Sequence, residues 1–409
     1  MSVTGGINHA KQLNINRAQV LDSLRRMQCC SRAELSRLAN LKRSTITNII
    51  GELIDLGLVV ETEILNGAGG HRSIGLRING RRYQVIGVMV TRTFYGLIRI
   101  GLSGEVYEFK NLHIPADIGA EDLMMQIQRS IHDMIEGSRE ARIVGIGVAV
   151  PGPYRRKEGE VVFVTNLIGW DEFPISACLK KAFDIPVLLA NDANAAAFAQ
   201  YWYPSNKIKT ETLAYIVAGQ GIGCGLLSDG ALIQGATGIA GEIGHTSIDY
   251  NGPRCECGNR GCLELYCSLL ALENRIRKRI VQGESSSLSL DFTTEELAQA
   301  IQNRDPLAQQ EFRRNCEYLA VGIVSLINQF DPGTIVIGDQ LAQMEPQLLL
   351  ETVCAQLQDR LRPTIWEELN IQVDSMEYNS IAMGAAAIVA DTILKEPFAY
   401  LSTKANPVG

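Results

Sequence analysis

Residues 241–264 read GEIGHTSIDYNGPRCECGNRGCLE, and this turn-rich stretch concentrates side chains that bind metals. The candidate ligands are His245, Cys255, Cys257 and Cys262. One imidazole nitrogen and three thiolates suit a tetrahedral zinc ion, and Gly258 and Gly261 would let the backbone wrap around it. Four protein ligands close such a site, which indicates one structural zinc per chain. The alternative is a cysteine-rich loop that holds no ion.

Length and composition describe a globular protein with room for more than one domain. The chain has 409 residues, of which 46% are hydrophobic, enough for two or three cores. No run approaches the ~20 apolar residues of a membrane span, and residues 1–19 lack the apolar centre of a signal peptide. We therefore expect a cytoplasmic protein without membrane association, in which clustered cysteines bind metal more often than they form disulfides.

The charge is unevenly distributed along the chain. The formal net charge is −7, but residues 1–82 contain 12 Lys and Arg against 6 Asp and Glu. The remaining residues contain 26 basic against 39 acidic side chains. A basic N-terminal segment followed by an acidic body predicts that this segment binds a polyanion.

Residues 1–82 have the pattern of three helices followed by a β-hairpin. Helical spacing places Val20, Leu21, Leu24 and Met27 on one face of the first helix. Ser31 and Glu34 form the capping box of a second helix, and KRSTITNIIGELIDLGLV predicts a third. The strands VVETEIL and SIGLRIN flank the loop NGAGGHR. This order predicts a winged helix-turn-helix DNA-binding domain.

The third helix of such a domain enters the major groove with its first residues against the bases. The side chains expected near the base edges are Arg43, Ser44, Thr45, Thr47 and Asn48. Those expected at phosphates are Arg25, Arg26, Arg32, Lys42 and Arg72. The alternative is a small helical protein-interaction domain with a solvated basic face.

From residue 84 onwards the pattern is that of an α/β protein. YQVIGVMV, YGLIRIGL and GEVYEFKNLHI predict consecutive strands, followed by a helix near 119–137 and the strand RIVGIGVAV. A similar unit returns in TLAYIVAG, IGCGLLS and ALIQG, with a helix near 310–330 and the strand GTIVIG. The repetition predicts two similar α/β lobes with a cleft between them. A final helix near 380–394 is rich in small residues and can return to the first lobe.

These motifs together resemble the ROK family of repressors, uncharacterised frames and sugar kinases. The matching segments are GIGVAVPGP, NLIGW, NDANAAAFA, GQGIGCG, GEIGH and CECGNRGCLE. The resemblance covers nearly the whole chain, and the winged head is similar to the family's repressor branch, that of the xylose and N-acetylglucosamine regulators. It implies a two-lobed actin-like (ribonuclease H-like, sugar kinase) core of the ATPase fold behind the DNA-binding head. It also implies a homodimer or homotetramer.

The expected domains are residues 1–82 for the head, 83–195 with 380–409 for the first lobe, and 196–379 for the second lobe with its zinc loop. The resemblance also implies a set of sugar-contacting residues, namely Gly152, Asn191, Asp192, Glu242, His245 and Glu264. His245 would use one ring nitrogen for zinc and turn the other towards the sugar. Asp192 matches the general base of the family's kinases. The alternative for the NDAN motif is a plain helix cap.

The nucleotide side departs from the family pattern. The family's first turn reads Asp-x-Gly-Gly-Thr, whereas this chain has MVTRT at 89–93, with Met89 for the aspartate and Arg92 for a glycine. Gln220 and Cys224 alter the second turn, and Asp339 and Gln340 alter the third. These departures indicate that ATP is no longer used. The sequence therefore predicts a transcriptional regulator that represses carbohydrate uptake or catabolism genes. It would bind double-stranded operator DNA and respond to a sugar or sugar phosphate. The alternatives are a sugar kinase, possibly bifunctional, and a regulator controlled by a protein partner.

Overall fold

The computed structural model describes residues 9–66, 72–115, 118–138, 140–152, 154–155, 160–161, 169–170, 173–203 and 211–402. The tip of the predicted wing at 67–71, most of the NLIGW motif and Pro153 of the PGP turn lie outside the described residues. Within the described ranges, no helix is long and apolar enough to cross a membrane.

The N-terminal head consists of three helices and a three-stranded antiparallel sheet. Its elements are α1 (His9–Met27), β1 (Cys30–Ser31), α2 (Arg32–Leu38), α3 (Arg43–Asp55), β2 (Val59–Asn66) and β3 (Arg72–Ile78). The strand order β1-β3-β2 joins the short strand after α1 to the hairpin. Ser31 caps α2 with the expected capping box, in which its backbone N–H donates to Oε2 of Glu34 over 2.8 Å. The predicted winged helix-turn-helix arrangement is thus present.

The core of the head follows the helical spacing of its sequence. Val20, Leu21 and Leu24 of α1 are fully buried, as are the apolar residues of α3 that recur at the same spacing. Met27 was expected on the same face, but it is 49% exposed because α1 ends at this residue. Gly57, with φ of 74°, adopts the left-handed conformation that ends α3.

A five-stranded mixed sheet follows the head. The elements of this region are β4 (Tyr83–Val90), β5 (Phe94–Gly101), β6 (Val106–His113), α4 (Ala120–Glu136), β7 (Arg142–Val150), β8 (Tyr154–Arg155), β9 (Glu160–Val161), α5 (Ile175–Ala182), β10 (Val187–Asn191) and α6 (Asp192–Trp202). The strand order is β10-β7-β4-β5-β6, and β7 runs parallel to both of its neighbours. Parallel strands end at one edge of the sheet, so Val90, Val150 and Asn191 lie along the same edge.

A second five-stranded sheet is built from the rest of the chain. Its region contains β11 (Thr212–Ala218), β12 (Ile222–Ser228), β13 (Ala231–Leu232), a 3-10 turn (Ile243–His245), α7 (Glu264–Cys267), α8 (Leu269–Val281), α9 (Thr294–Gln302), α10 (Pro306–Phe330), β14 (Thr334–Gly338), α11 (Gln340–Met344), α12 (Pro346–Arg360), α13 (Pro363–Trp366) and β15 (Asn370–Val373). The strand order is β13-β12-β11-β14-β15, with β11, β14 and β15 parallel. The chain then returns through α14 (Ser380–Lys395) and ends in α15 (Pro397–Leu401).

The helices α6 and α14 pack against each other between the two sheets. α14 contacts β4 and β7 of the first sheet, while α6 contacts β11 and β12 of the second. Small residues make this close approach possible: a Cβ atom on Gly384 would collide with the backbone oxygen of Ala195, and one on Gly225 with that of Ala193. The boundary expected between residues 195 and 196 falls inside α6, which contacts elements of both lobes, and the exact domain limits stay a prediction.

Candidate functional site

A cleft opens where the carboxyl ends of the parallel strands of both sheets face each other. Ligands of open α/β sheets bind at this edge, because the loops that follow the strands converge there. All the residues expected to contact a sugar line this cleft: Gly152, Asn191, Asp192, Glu242, His245 and Glu264. Gly152 follows β7 and Asn191 ends β10, whereas Glu242, His245 and Glu264 come from the side of the second sheet.

Asn191 has two functions at the start of α6. Its Oδ1 accepts a hydrogen bond from the backbone N–H of Asn194 at 3.1 Å, which caps the helix. Its Nδ2 donates to the backbone oxygen of Gly152 at 3.2 Å and so holds the loop after β7 against the helix. The plain helix cap and the cleft position are therefore both present in one side chain.

Two carboxyl groups in the cleft have pKa values close to neutral pH. Burial and the neighbouring Asp339 carboxylate raise the pKa of Asp192 to about 7. Burial, Asp192 and Glu264 raise the pKa of Glu242 to about 7. Groups with such pKa values both accept and donate hydrogen bonds near neutral pH, which suits contact with sugar hydroxyls.

His245 lies between the cleft and the cysteine-rich loop. Its Nε2 is 4.0 Å from Oε2 of Glu242 on the cleft side, and its Nδ1 is 3.7 Å from Sγ of Cys255. Each ring nitrogen thus faces a different partner, as the expected double role of this residue requires. Glu264 is fixed nearby, because its Oε2 accepts a hydrogen bond from the backbone N–H of Ile222 at 3.1 Å.

The predicted metal ligands converge on one point. The donor atoms of His245, Cys255, Cys257 and Cys262 all lie within 4.8 Å of one another. The Sγ atoms of Cys257 and Cys262 are 3.7 Å apart. Tetrahedral zinc with Zn–S bonds of about 2.3 Å separates its sulfur ligands by about 3.8 Å, so the spacing of this cysteine pair fits the ion. Burial raises the pKa of Cys262 to about 12, and a bound cation would be needed to keep this thiol deprotonated at neutral pH.

The backbone of the cysteine-rich loop depends on its glycines. Gly258 and Gly261 have φ of 94° and 62°, in the left-handed region that disfavours side chains. A Cβ atom on Gly261 would also collide with the backbone oxygen of Asp249. The loop turns back through a hydrogen bond of 2.8 Å from the N–H of Cys255 to the oxygen of Asn259. Both glycines therefore support the fold of this loop, as their sequence positions predicted.

The candidate DNA-reading face begins at α3. Arg43, Ser44, Thr47 and Asn48 are exposed on its first turns, Lys42 is exposed at its N-cap, and Thr45 is half-buried. Thr47 donates its hydroxyl proton to the backbone oxygen of Arg43 at 3.0 Å. Arg32 lies on α2 and forms an ion pair of 2.8 Å with Glu61 of the hairpin. Arg72 begins β3.

Arg25 and Arg26 were expected at DNA phosphates, and for Arg25 this prediction is wrong. Arg25 is only 2% exposed, and its Nη1 donates a hydrogen bond to the backbone oxygen of Trp202 at the end of α6. Its guanidinium carbon also lies 4.6 Å from the centre of the Trp202 ring. Arg26 donates to the hydroxyl of Tyr201 at 2.8 Å. Both arginines join the head to the core.

Comparisons with known proteins agree with the fold and the cleft. The ROK family model matches residues 85–392. The xylose repressor of Caldicellulosiruptor bescii is 31% identical over 403 residues, which cover 95% of this chain and 99% of that protein. The chain belongs to the ROK family.

Two solved structures of ROK proteins, a regulator and a kinase, differ in how much of this chain they cover. A ROK transcriptional regulator described as a homologue of the Escherichia coli MLC protein superimposes with a TM-score of 0.80 at 27% identity, covering 96% of this chain and 100% of that one. The ROK hexokinase of Thermus thermophilus covers only 74% of this chain but 97% of its own, with a TM-score of 0.59 at 27% identity. This ROK protein therefore has the architecture of the family's sugar-responsive transcriptional repressors.

The part of the cleft at which the family's kinases are expected to bind ATP contains residues whose role the sequence pattern did not reveal. Met89 is fully buried in β4. Arg92 and Asp339 line the same cleft as the sugar-contacting set. Burial raises the pKa of Asp192 to about 7 and that of Asp339 to about 6, and the positive charge of Arg92 opposes both rises. The signal that the sequence offered for Arg92 and Asp339 was the expected replacement of family glycines by charged residues.

Proposed function

We propose that this protein holds its operator DNA through the winged head and releases it when a sugar enters the cleft. The observation that carries the proposal is the convergence of Gly152, Asn191 and Asp192 from one lobe with Glu242, His245 and Glu264 from the other. A sugar that contacts both groups favours the closed arrangement of the lobes by its differential affinity. The genes under control would serve carbohydrate uptake or catabolism.

The DNA partner would be a pair of operator half-sites bound by a homodimer or a homotetramer. The exposed polar residues at the start of α3 would read base edges, and Lys42, Arg32 and Arg72 would contact phosphates. Closure of the cleft would change the distance between the recognition helices of two protomers. A shift of a few ångströms would mismatch half-sites that are spaced by the helical repeat of DNA.

A zinc ion would be held by His245, Cys255, Cys257 and Cys262, with a structural function. Bound zinc would supply the charge that keeps the thiolates deprotonated and would fix the orientation of the His245 ring. With Nδ1 directed to the metal, Nε2 stays on the side of Glu242. The loop thus positions a residue of the sugar cleft.

The second candidate function is an ATP-dependent sugar kinase, favoured by the presence of Asp192 at the position of the general base. Met89 removes the carboxylate expected near the metal-bound nucleotide, and Arg92 and Asp339 replace glycines of the phosphate-binding turns. We therefore propose that the protein does not act on ATP. Millimolar ATP should leave its Tm unchanged, whereas turnover of ATP with a hexose would favour the kinase.

The proposed function is tested with Glu242→Ala and a panel of free monosaccharides, including D-xylose, D-glucose and N-acetyl-D-glucosamine. The variant should bind operator DNA like the wild type but should not release it at sugar concentrations that release the wild type. The matched control is Glu295→Ala, an exposed glutamate in the first turn of α9. Release of the Glu242→Ala variant at wild-type sugar concentrations would mean that the signal enters elsewhere, as a protein partner would provide.

A further inference from the structure

We propose that the cleft accepts an uncharged sugar and rejects its phosphate esters, because Asp339 and Arg92 already occupy the place of a bound phosphate. This inference rests on the proposed sugar-binding function of the same cleft. It distinguishes a free sugar from a sugar phosphate as the effector, a choice that the family resemblance leaves open. The groups that carry it come from the ends of β4 and β14 and from the turn between β11 and β12.

The Asp339 carboxylate lies directly on the turn between β11 and β12. A Cβ atom on Gly219 of this turn would collide with Oδ2 of Asp339. Backbone N–H groups of a glycine-rich turn form a concave site for anions, and phosphate is the usual occupant of such turns. Here a carboxylate of the protein itself covers the start of the turn.

A second carboxylate occupies the end of the same turn. Oε2 of Glu264 accepts the hydrogen bond of the Ile222 N–H at 3.1 Å. A Cβ atom on Gly221 would lie 2.7 Å from this oxygen and 3.5 Å from each terminal nitrogen of Arg92. A donor that an incoming phosphate would need is thus already satisfied, with a guanidinium close by.

Arg92 balances the charge of the carboxylates that lie on this turn, and it is therefore not left to bind an incoming phosphate. Burial raises the pKa of both Asp339 and Asp192, and the positive charge of Arg92 opposes this rise, so Arg92 already interacts with these carboxyl groups. Among the residues that the structure describes, the acidic side chains that line the cleft are Asp192, Glu242, Glu264 and Asp339, and the one arginine is Arg92. Asp192 and Glu242 are only partly ionised near neutral pH, but a phosphate dianion would still meet the ionised fraction of these carboxylates in a partly buried site, which is costly. Sugar hydroxyls, in contrast, donate hydrogen bonds to the same carboxylates.

The backbone at Asp339 supports a specific function for this side chain. Asp339 has φ of 73° and ψ of −166°, a region in which glycine is strongly favoured. Glycine would relieve the backbone there and would empty the space over Gly219. An aspartate in this conformation therefore indicates that its carboxylate is required at this point of the cleft.

The inference is tested by thermal shift with D-glucose and D-glucose 6-phosphate, and with N-acetyl-D-glucosamine and its 6-phosphate. In the wild type, a free sugar should raise the Tm, and its ester at the same concentration should not. Asp339→Gly should bind the ester at least tenfold more tightly than the wild type does, because the internal anion is removed and Arg92 becomes available. Asp339→Asn removes the charge without changing the shape of the side chain. It provides the same test of ester binding if the glycine variant fails to fold.

The matched control is Asp331→Gly, which removes another aspartate of positive φ, at the exposed C-cap of α10 and outside the cleft. It should leave the preference for the free sugar unchanged. Tighter binding of the ester than of the parent sugar by the wild type would overturn the inference and leave the sugar-binding function intact. Unchanged ester affinity in both Asp339 variants would also overturn it. If no sugar and no ester raises the Tm, the proposed function fails together with the inference.

Discussion

Asp192 and Trp202 are the first and last residues of the same helix, α6, and they connect the cleft to the DNA-binding head. Asp192 lines the cleft, and the backbone oxygen of Trp202 accepts a hydrogen bond from Arg25 of α1. The helix has 11 residues and is therefore about 16 Å long. Because α6 packs tightly on α14, a displacement of its first turn is expected to reach the head as a rigid-body movement.

Replacement of Arg25 should uncouple the head from the cleft. In Arg25→Met, the buried oxygen of Trp202 loses its donor, which should lower the free energy of unfolding by about 1–3 kcal/mol. A sugar should still raise the Tm, but it should release operator DNA less completely than in the wild type. Both properties are measured by thermal shift and by fluorescence anisotropy of labelled operator DNA.

Arg26→Met provides the control for this prediction. The Arg26 side chain is 49% exposed and contacts the Tyr201 hydroxyl, so its loss should cost less than about 1 kcal/mol. Sugar-induced release should be close to that of the wild type. Equal release by the Arg25 and Arg26 variants would show that α6 does not carry the signal through Trp202.

The stability of the protein should depend on the protonation of Asp192. The pKa of this carboxyl group is raised to about 7, so the folded chain keeps a proton that the unfolded chain loses from about pH 4 upwards. The free energy of unfolding should therefore fall as the pH rises from 4 to 7 and should stay low above pH 7. Asp192→Asn removes this loss and should be more stable than the wild type at pH 8, by the order of 1–4 kcal/mol.

Urea unfolding of both proteins at pH 5 and pH 8 measures this difference. The wild type should lose more stability between the two pH values than Asp192→Asn does. Asp192→Asn should still lose some stability between pH 5 and pH 8, because the pKa values of Glu242 and Asp339 are also raised. A decline of equal size in both proteins would exclude Asp192 as its source.

Loss of one thiol should remove the metal. In Cys257→Ser, only three of the proposed ligands stay in place, so the purified variant should contain much less than one zinc per chain. Its Tm should fall by more than about 4 °C, since the loop loses the ion that joins it to His245. Elemental analysis and thermal unfolding measure the two effects.

Cys354→Ser is the control for the thiol itself, because Cys354 lies on α12 outside the metal cluster. Its zinc content should equal that of the wild type. A Cys257→Ser protein that retains stoichiometric zinc would require another ligand set, and a wild type that purifies without zinc would favour the ion-free loop.

The first turns of α3 should determine operator specificity. Arg43→Ala or Asn48→Ala should reduce the discrimination between operator and random DNA by about 1–3 kcal/mol if these side chains contact bases. Lys42→Ala should weaken binding to both DNAs equally and should reduce the slope of log Kd against log salt by about 1. Titrations at several salt concentrations distinguish the two classes. Equal weakening on both DNAs by Arg43→Ala would reassign Arg43 to a phosphate.

Local patterns in the sequence determined the elements of the head and the metal ligands. Ser31 and Glu34 are three residues apart, and their capping box forms within a single turn, so the helix start could be predicted from the chain alone. The cysteines of the cysteine-rich loop fall within eight positions, and the glycines between them permit the left-handed turns that the loop adopts. Interactions of this kind depend on neighbours along the chain, and they are therefore visible in the sequence.

Only the tertiary structure decided the positions of Arg25, Arg92 and Asp339. Arg25 lies on a basic helix and resembles a DNA contact, but docking of α1 against α6 buries it on Trp202, 177 positions away in the chain. Arg92 and Asp339 come from different lobes, and they lie near Gly221 and Gly219 of one turn because the two sheets face each other across the cleft. Such contacts depend on how whole elements pack, and no local spacing of residues specifies them.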